Sequence, residues 1–560
     1  MLILGVSDLE RNPAVALFNG GDARPLAAIE EEKLDRGRSD AVPRLAIEYC
    51  LKQLGARKQD ISAIAIAGRP RRAWFREEKL RFDLLASDTV GNRSAWSGGQ
   101  ISRRLGRQEL LRRYIGRDVP FLSFEHHLCH AASAFHASTF DRALVLTLDG
   151  AGDMWSGLIA VGEGADLRPV KALPFPNSFG WLYAQVTDLI GFRAGAEEHK
   201  TQWLSSRGEP DCVGVFRRLF NTNSDGLPVF DRRYLAREVA ETWRLSRQAL
   251  AQLPRASAAH DDGSAATIAC SVQEFLEGTI VDLAERYRKA TDTRYLCVAG
   301  GVFLNPLLVR ALERRAGFDG IYVQPAADNP GTAIGAGYLA PKRLKRDFRR
   351  SPLSHLYLGP DFSPQEIKAV LDNCKLIYRY CESERELLDT TAGLLAQNKI
   401  VAWFQGRTEF GQRALGNRTI VASPFSPFVK ENLNHYIKHR QEFHPFVLSV
   451  PAEHAPEYFD CSPNCRFAAS VGELRPGPGP LEAFTFGRRQ VRLHLTDAAA
   501  NPRFDALLRK FGGRAPAPIL VNTSFNLFGE PLVSDPRAAV RSFYCSGIDA
   551  LVIGDFLVVK

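Results

Sequence analysis

The same order of elements occurs twice in the N-terminal part of the chain. Leu2-Ile-Leu-Gly-Val-Ser-Asp8 reads as a buried strand, followed by strand-like runs at 14–18 and 25–29. Ala143-Leu-Val-Leu-Thr-Leu-Asp-Gly150 is followed in the same way by runs at 156–161 and 167–175, with a glycine turn at 162–164. Strand and hairpin in matching order predict a duplicated α/β domain rather than two unrelated ones. An apolar period of 3.6 at 43–54 predicts a helix ahead of a strand at 61–66. A chain of 560 residues exceeds what one core supports, so a second domain is expected. The basic, polar stretch at 341–350 reads as a linker. The expected boundaries are therefore 1–345 and 356–560.

The bulk numbers narrow the functional class. With 45% hydrophobic and 24% charged residues, the composition is that of an ordinary globular protein. No apolar run approaches the roughly 20 residues that span a bilayer, and Asp8, Glu10 and Arg11 cut short the apolar opening. Ten cysteines without paired spacing suggest reduced thiols, so a cytoplasmic setting is expected. The net charge of +9 comes from dispersed basic residues with no aromatic-and-basic stripe, which argues against a nucleic-acid partner. Anionic small substrates account for a local excess equally well. Oligomeric state is not legible.

Residues 405–418, Gln405-Gly-Arg-Thr-Glu-Phe-Gly-Gln-Arg-Ala-Leu-Gly-Asn-Arg418, concentrate three arginines and three glycines after the apolar run 400–404. Glycines let backbone approach a ligand, and arginines bind phosphate or carboxylate oxygens in a fork. The stretch reads as an anion site on a small-molecule pocket.

A second constellation lies upstream. His126 and His130, at i and i+4, would share one helix face and could grip one metal ion. Asp149 ends a strand at Leu148-Asp-Gly-Ala-Gly152, where its carboxylate could complete the site and Gly150 could face a phosphate. Ala299-Gly-Gly-Val-Phe-Leu-Asn305 is a strand-to-helix turn.

Three stretches together carry a family resemblance: residues 405–418, Lys438-His-Arg-Gln-Glu-Phe-His-Pro-Phe446, and Pro518-Ile-Leu-Val-Asn-Thr-Ser-Phe-Asn-Leu-Phe-Gly-Glu-Pro-Leu-Val533. With the terminal 547–554 they resemble the NodU/CmcH-type carbamoyltransferases, which include the tobramycin and cephamycin O-carbamoyltransferases. The resemblance implies an actin/hexokinase/Hsp70-like N-terminal domain similar to the tRNA threonylcarbamoyl transferases, followed by a YrdC-like α/β domain. It implies carbamoyl-adenylate formation from carbamoyl phosphate and ATP, with Mg²⁺ accompanying ATP. Transfer to a small-molecule acceptor, in antibiotic or other natural-product biosynthesis, would follow. By the same resemblance, iron(II) or another divalent ion would sit at His126, His130 and Asp149. Lys200, Gly300, Gly301, Asn305 and Gly331 would face nucleotide. Arg413, Lys438 and Arg492 would surround the phosphate, aided by Ser524 and Asn526, with Arg418 and Arg440 also at the nucleotide.

Several positions depart from the family pattern. Asn329 stands where the family has a second metal-binding aspartate, with Asp328 one residue early. Arg11 and Asn12 replace a His-Asp pair, and an arginine cannot serve as a general base, although it could stabilise an anionic intermediate. Trp203 and Ser205 replace glycine and alanine, so a reshaped or partly filled pocket is expected. His444 replaces an arginine and His494 a glutamine. The expected activity is ATP-dependent carbamoyl transfer to a hydroxyl or amine. The alternatives are a remodelled transfer site for an amine, amide or thiol, and a non-enzymatic basic module.

Overall fold

Both halves of the N-terminal repeat build the same sheet. In the first, Leu2–Val6 is central: it pairs antiparallel with Ala14–Asn19 and parallel with Ile61–Ala67, which pairs parallel with Phe121–Phe124. Pro25–Glu30 completes the other edge. In the second, Arg142–Gly152 is central, antiparallel to Trp155–Glu163 and parallel to Tyr295–Ala299, with Asp166–Pro174 and Gly320–Val323 at the edges. In each sheet the first strand sits in the middle, the hairpin on one side and two parallel strands on the other. That is the duplicated actin/hexokinase-like topology. The central strands are buried almost throughout, as covered parallel strands require. The structure is a computed structural model that describes all residues except 21–23, 36–41, 69–97, 224, 238–242, 255–262 and 478, with side chains left undescribed at 98–105 and 237 as well.

By backbone contacts the chain divides into two units. One comprises Met1–Ala27, Ser39–Leu304 and Ala311–Pro352; the other comprises Ala28–Arg38, Asn305–Arg310 and Leu353–Lys560. The final change of unit falls at 352–353. The grouping of 28–38 and 305–310 with the C-terminal unit was not legible, because no local pattern announces a long-range contact.

The second unit is built on one ten-stranded mixed sheet. Its central order is Val401–Phe404, Arg418–Ala422, Leu520–Ser524, Val447–Pro451 and Gln490–Thr496. Trp403, Val421 and Leu520 pack on one face with Phe504, Leu507 and Leu508 of the helix Pro502–Gly512. Ala402, Ile420 and Val521 face the larger core on the other side, with Ala539 and Phe543 of Pro536–Tyr544.

In the first unit the helices His126–Phe135 and Gly331–Arg343 pack backbone to backbone. A methyl at Gly335 would overlap the carbonyl oxygen of Cys129, and one at Gly5 would overlap that of Ala333. Close approach of the helix that carries both histidines therefore depends on hydrogen as the side chain at residue 335. Gly335→Ala should destabilise the protein by about 1–3 kcal/mol through overpacking, and chemical denaturation would register it. An unchanged unfolding midpoint would show that the two helices can separate freely.

Candidate functional site

The metal-competent residues come from a helix start and a strand end. The helix His126–Phe135 begins under the Asp153 carboxylate, whose Oδ2 accepts from the His126 backbone N–H at 2.8 Å. One turn on, His130 Nε2 lies 3.1 Å from His126 Nε2 and 3.3 Å from Asp149 Oδ2, while His126 Nε2 lies 3.4 Å from the same oxygen. His126, His130 and Asp149 can each place a ligand atom within 4.8 Å of the others. The second ring nitrogen of His126 faces Asp8 Oδ2 at 3.7 Å, the carboxylate-behind-imidazole arrangement common around metal ligands. His127 is not part of this group; its ring nitrogens meet Thr147 Oγ1 and the Trp155 carbonyl.

The electrostatics follow from burial against paired charge. Burial alone would depress the His126 pKa, but hydrogen bonds and attraction from Asp149 and Asp8 raise it to about 10. Burial pushes the Asp149 carboxyl up, and the two histidines more than offset this, holding it well below the usual carboxylate range. Two imidazoles and one carboxylate form a mixed donor set that suits a divalent transition ion. The strand end is itself anchored, because Ser178 Oγ donates to the carbonyls of Asp149 at 3.0 Å and Gly150 at 2.7 Å.

Asp328, rather than Asn329, presents its carboxylate to this cluster. A Cβ placed on Gly301 would lie 3.2 Å from Asp149 Oδ1 and 3.4 Å from Asp328 Oδ1, so both carboxylates converge on the Gly300–Gly301 turn. Burial first, and then repulsion from Asp149, push the Asp328 carboxyl up to about 6, against attraction from Arg11 and His126. Asn329 turns its amide nitrogen onto two main-chain carbonyls, Asp8 at 2.9 Å and Arg11, which ties down the turn that carries Arg11. Arg11 itself is exposed.

The residues expected at the nucleotide along this part of the chain make mainly local contacts. Gly300, at φ +99°, packs on the Leu148 carbonyl, and Gly331 packs on that of Ala326; both positions shape turns. Gly150 borders open space. Lys200 pairs with Glu197 at 2.7 Å, and Asn305 Oδ1 caps its helix by accepting from the N–H groups of Leu307 and Leu308. Trp203 is buried in the helix Glu198–Leu204, within the helical layer formed with Ser264–Thr291.

In the second unit the arginine-rich loop is organised by a carboxylate that sequence reasoning missed. Glu409 Oε1 accepts from the backbone N–H groups of Leu415, Asn417 and Arg418 at 2.9, 2.9 and 3.2 Å. Arg418, expected at the nucleotide, is instead a strut. Fully buried, its guanidinium donates to the carbonyls of Gln405, Asn417, Pro360 and Gly406 and stacks 3.7 Å from the Phe404 ring centre. Those carbonyls take up the fork that was expected to bind phosphate. Asn522, also missed, donates to the Ala414 carbonyl at 3.2 Å and so supports the loop from the sheet.

Around this loop four cations gather. The π-helix Asn432–Lys438 ends in a left-handed residue, His439 at φ 44°, a local irregularity of the kind common at functional sites. It delivers Lys438, whose ammonium donates to Ser524 O at 2.9 Å, Asn526 O at 3.0 Å and Asn526 Oδ1 at 2.7 Å. Burial, and then the neighbouring Arg440, push Lys438 down to about 7. Arg440 lies 4.3 Å over the Phe446 ring centre and donates to Asn434 Oδ1, while its Nη2 is buried without a hydrogen-bond partner. Burial lowers Arg440 and Arg413 to about 10 each. Arg492 falls well below its ordinary value through burial and then through the charges of Arg413 and Arg440. Like charges held this close in a poorly solvated site point to an anionic ligand.

The two histidines that depart from the family pattern lie in this unit. His494 accepts or donates to Ser449 at 3.0 Å and stacks on Phe504; burial, and then Arg466, lower it to about 3, so it is neutral. His444 stacks on Phe443 with Nδ1 3.3 Å from the Gln441 carbonyl.

Comparison with known proteins matches residues 2–338 to the family described as carbamoyltransferase N-terminus and residues 392–560 to carbamoyltransferase C-terminus. The chain belongs to the carbamoyltransferase family. An uncharacterized protein of Synechocystis is 33% identical over 100% of this chain and 96% of its own. Nodulation protein NolNO of Sinorhizobium fredii is 32% identical over 96% of this chain and 78% of its own. Among solved structures, full-length HypF in the phosphate- and nucleotide-bound form aligns with 62% of this chain and 47% of its own, at 15% identity and a TM-score of 0.34, too distant to bear on the chemistry. Among the described residues of this carbamoyltransferase, no helix is long and apolar enough to cross a membrane.

Two outcomes check the metal centre. His130→Ala should lower bound divalent metal from about one ion per chain to near none, since a ligand set of two cannot hold a transition ion tightly; elemental analysis of unchelated protein decides this. Asn329→Asp should not tighten metal binding. It would set a carboxylate oxygen against the Asp8 and Arg11 carbonyls and should cost about 1–3 kcal/mol of stability, as lost buried hydrogen bonds do. A variant that is both more stable and richer in metal would refute the assignment of Asn329 to the turn.

Proposed function

We propose that this carbamoyltransferase makes carbamoyl-adenylate in its second unit and uses the first unit to pass the carbamoyl group to a hydroxyl or amine of a small metabolite, in natural-product biosynthesis. One carbamoyl phosphate, one ATP and one water yield carbamoyl-adenylate, orthophosphate and pyrophosphate. Attack by the acceptor on the carbamoyl carbon then releases AMP.

The observation that carries the reading is the buried cation cluster of Arg413, Lys438, Arg440 and Arg492. Carbamoyl phosphate and the ATP phosphates bring several negative charges together, and fixed cations in a water-poor pocket lower that cost. The described hydrogen bonds of Lys438 run to neutral oxygens of Ser524 and Asn526, so its charge is not cancelled by a carboxylate. Mg²⁺ would accompany ATP.

In the first unit His126, His130 and Asp149 would hold a divalent ion, iron(II) by family resemblance, which supplies Lewis-acid polarisation of an oxygen when bound. Arg11, held on the turn tied by Asn329, would stabilise the anion formed as the acceptor attacks. A remodelled transfer site acting on an amine, amide or thiol is the second reading. It is favoured by the hydrogen bonds of Asn329, which tie the turn of Arg11.

The half-reactions separate by mutation. Arg413→Ala or Lys438→Ala should lower carbamoyl-phosphate-dependent AMP formation by roughly 10²–10³, as loss of a charge-stabilising donor does. His130→Ala should spare adenylate formation, read as carbamoyl-phosphate-dependent ATP–pyrophosphate exchange, and block transfer. A folded His130 variant that loses both steps would overturn this division of labour.

A further inference from the structure

Residues 28–38 belong to the second unit although they stand near the start of the chain. Within that unit Lys33, only 6% exposed, reaches the arginine-rich loop. Its ammonium donates to the carbonyls of Glu409 at 2.9 Å and Gly411 at 2.6 Å, and to Glu30 Oε1 at 3.0 Å. Glu30, itself 1% exposed, accepts from the Gly411 N–H at 2.7 Å. The segment is anchored at its start, where the Ala28 N–H donates to the Leu358 carbonyl at 3.0 Å.

Acid and base thus bracket one short piece of backbone. Gly411 sits at φ +94°, so the loop turns there, two residues before Arg413. A buried ion pair alone is weak evidence for stability, because desolvation offsets its attraction. Here the pair also satisfies two carbonyls and one N–H that would otherwise be buried without partners, and leaving such groups unmade is the larger cost. From the other side Glu409 Oε1 gathers three further N–H groups of the same loop. The loop's course is therefore set by carboxylates and an ammonium that make no other described hydrogen bonds.

We infer that the Glu30–Lys33 pair positions Arg413 by clamping the backbone at 409–411, and so tunes this enzyme's affinity for carbamoyl phosphate from a segment distant in sequence. The inference rests on the phosphate-binding role proposed for Arg413. Lys33 acts through the loop and is a positioning residue.

In the full-length enzyme, Lys33→Met removes the charge and keeps most of the side-chain volume. The KM for carbamoyl phosphate in AMP formation should rise at least about tenfold, the scale expected when a binding group is slightly misplaced, while the KM for ATP stays unchanged. An enzyme that was merely less stable would lose kcat through fewer active molecules and keep its KM. Inorganic phosphate gives a readout without turnover: it should raise the Tm of the wild type more than that of Lys33→Met. Should Lys33→Met fail to fold, the shape-conserving Glu30→Gln decides by the same two readouts. A folded variant with wild-type KM for carbamoyl phosphate and a wild-type phosphate-induced Tm shift overturns the clamp, as does a rise confined to the KM for ATP. Arg413→Ala measured alongside keeps the two readings apart. If it works normally with carbamoyl phosphate, the phosphate site is misassigned; if it is inactive while Lys33→Met behaves as wild type, only the clamp fails.

Discussion

Burying like charges beside one another is the constraint around which the second unit is organised. Arg413, Arg440 and Arg492 lie close enough that the charges of the first two lower the pKa of the third, and Lys438 is pushed down to about 7. Such a cluster is costly unless something negative enters it. The fold meets the cost locally with neutral oxygens: Ser524 and Asn526 on Lys438, Asn434 and the Phe446 ring on Arg440. The remaining imbalance is the feature on which the proposed binding of a polyanion rests.

Holding the cations in place requires backbone that cannot drift, and the structure obtains it with acidic groups. Glu409 plays toward residues 415–418 the part that a bound anion plays in a backbone nest. Arg418 does the converse, gathering four carbonyls. Arg418 thus serves the backbone, whereas Arg413, Arg440 and Arg492 are buried as charges close to one another. The first unit follows the same logic at smaller scale. Asp8 backs His126, Ser178 steadies the strand end of Asp149, and Asn329 fastens the turn of Arg11.

These supports explain which site residues could be read in advance. His126 and His130 were legible because an i,i+4 pair shares a helix face whatever surrounds it. Asp149 was legible as a carboxylate at a strand end before glycines. The choice between Asp328 and Asn329 was not, because a one-residue shift in a turn reverses which side chain faces the site, and the deciding contacts are carbonyls of residues 8 and 11. Arg418 misled for a related reason: its spacing in the loop resembles that of a ligand-binding arginine, and its actual partners are main-chain oxygens with no sequence signature. The neutrality of His494 comes from its burial, and then from Arg466, which its neighbours in sequence do not reveal.

What the amino-acid sequence determined by itself was the kind of protein: a duplicated strand-and-hairpin plan, a helix bearing two histidines, and a loop rich in arginine and glycine behind a buried strand. These follow from periodicity and local chemistry, which act over a few residues. Only the tertiary structure decided that Asp328 joins Asp149 beside the Gly300–Gly301 turn, that Arg418 leaves the site, and that residues 28–38 group with the C-terminal unit. Each depends on a hydrogen bond or carboxylate contact made across a gap in the chain, and the energy of such a contact is set by burial and geometry that exist only once the chain has folded.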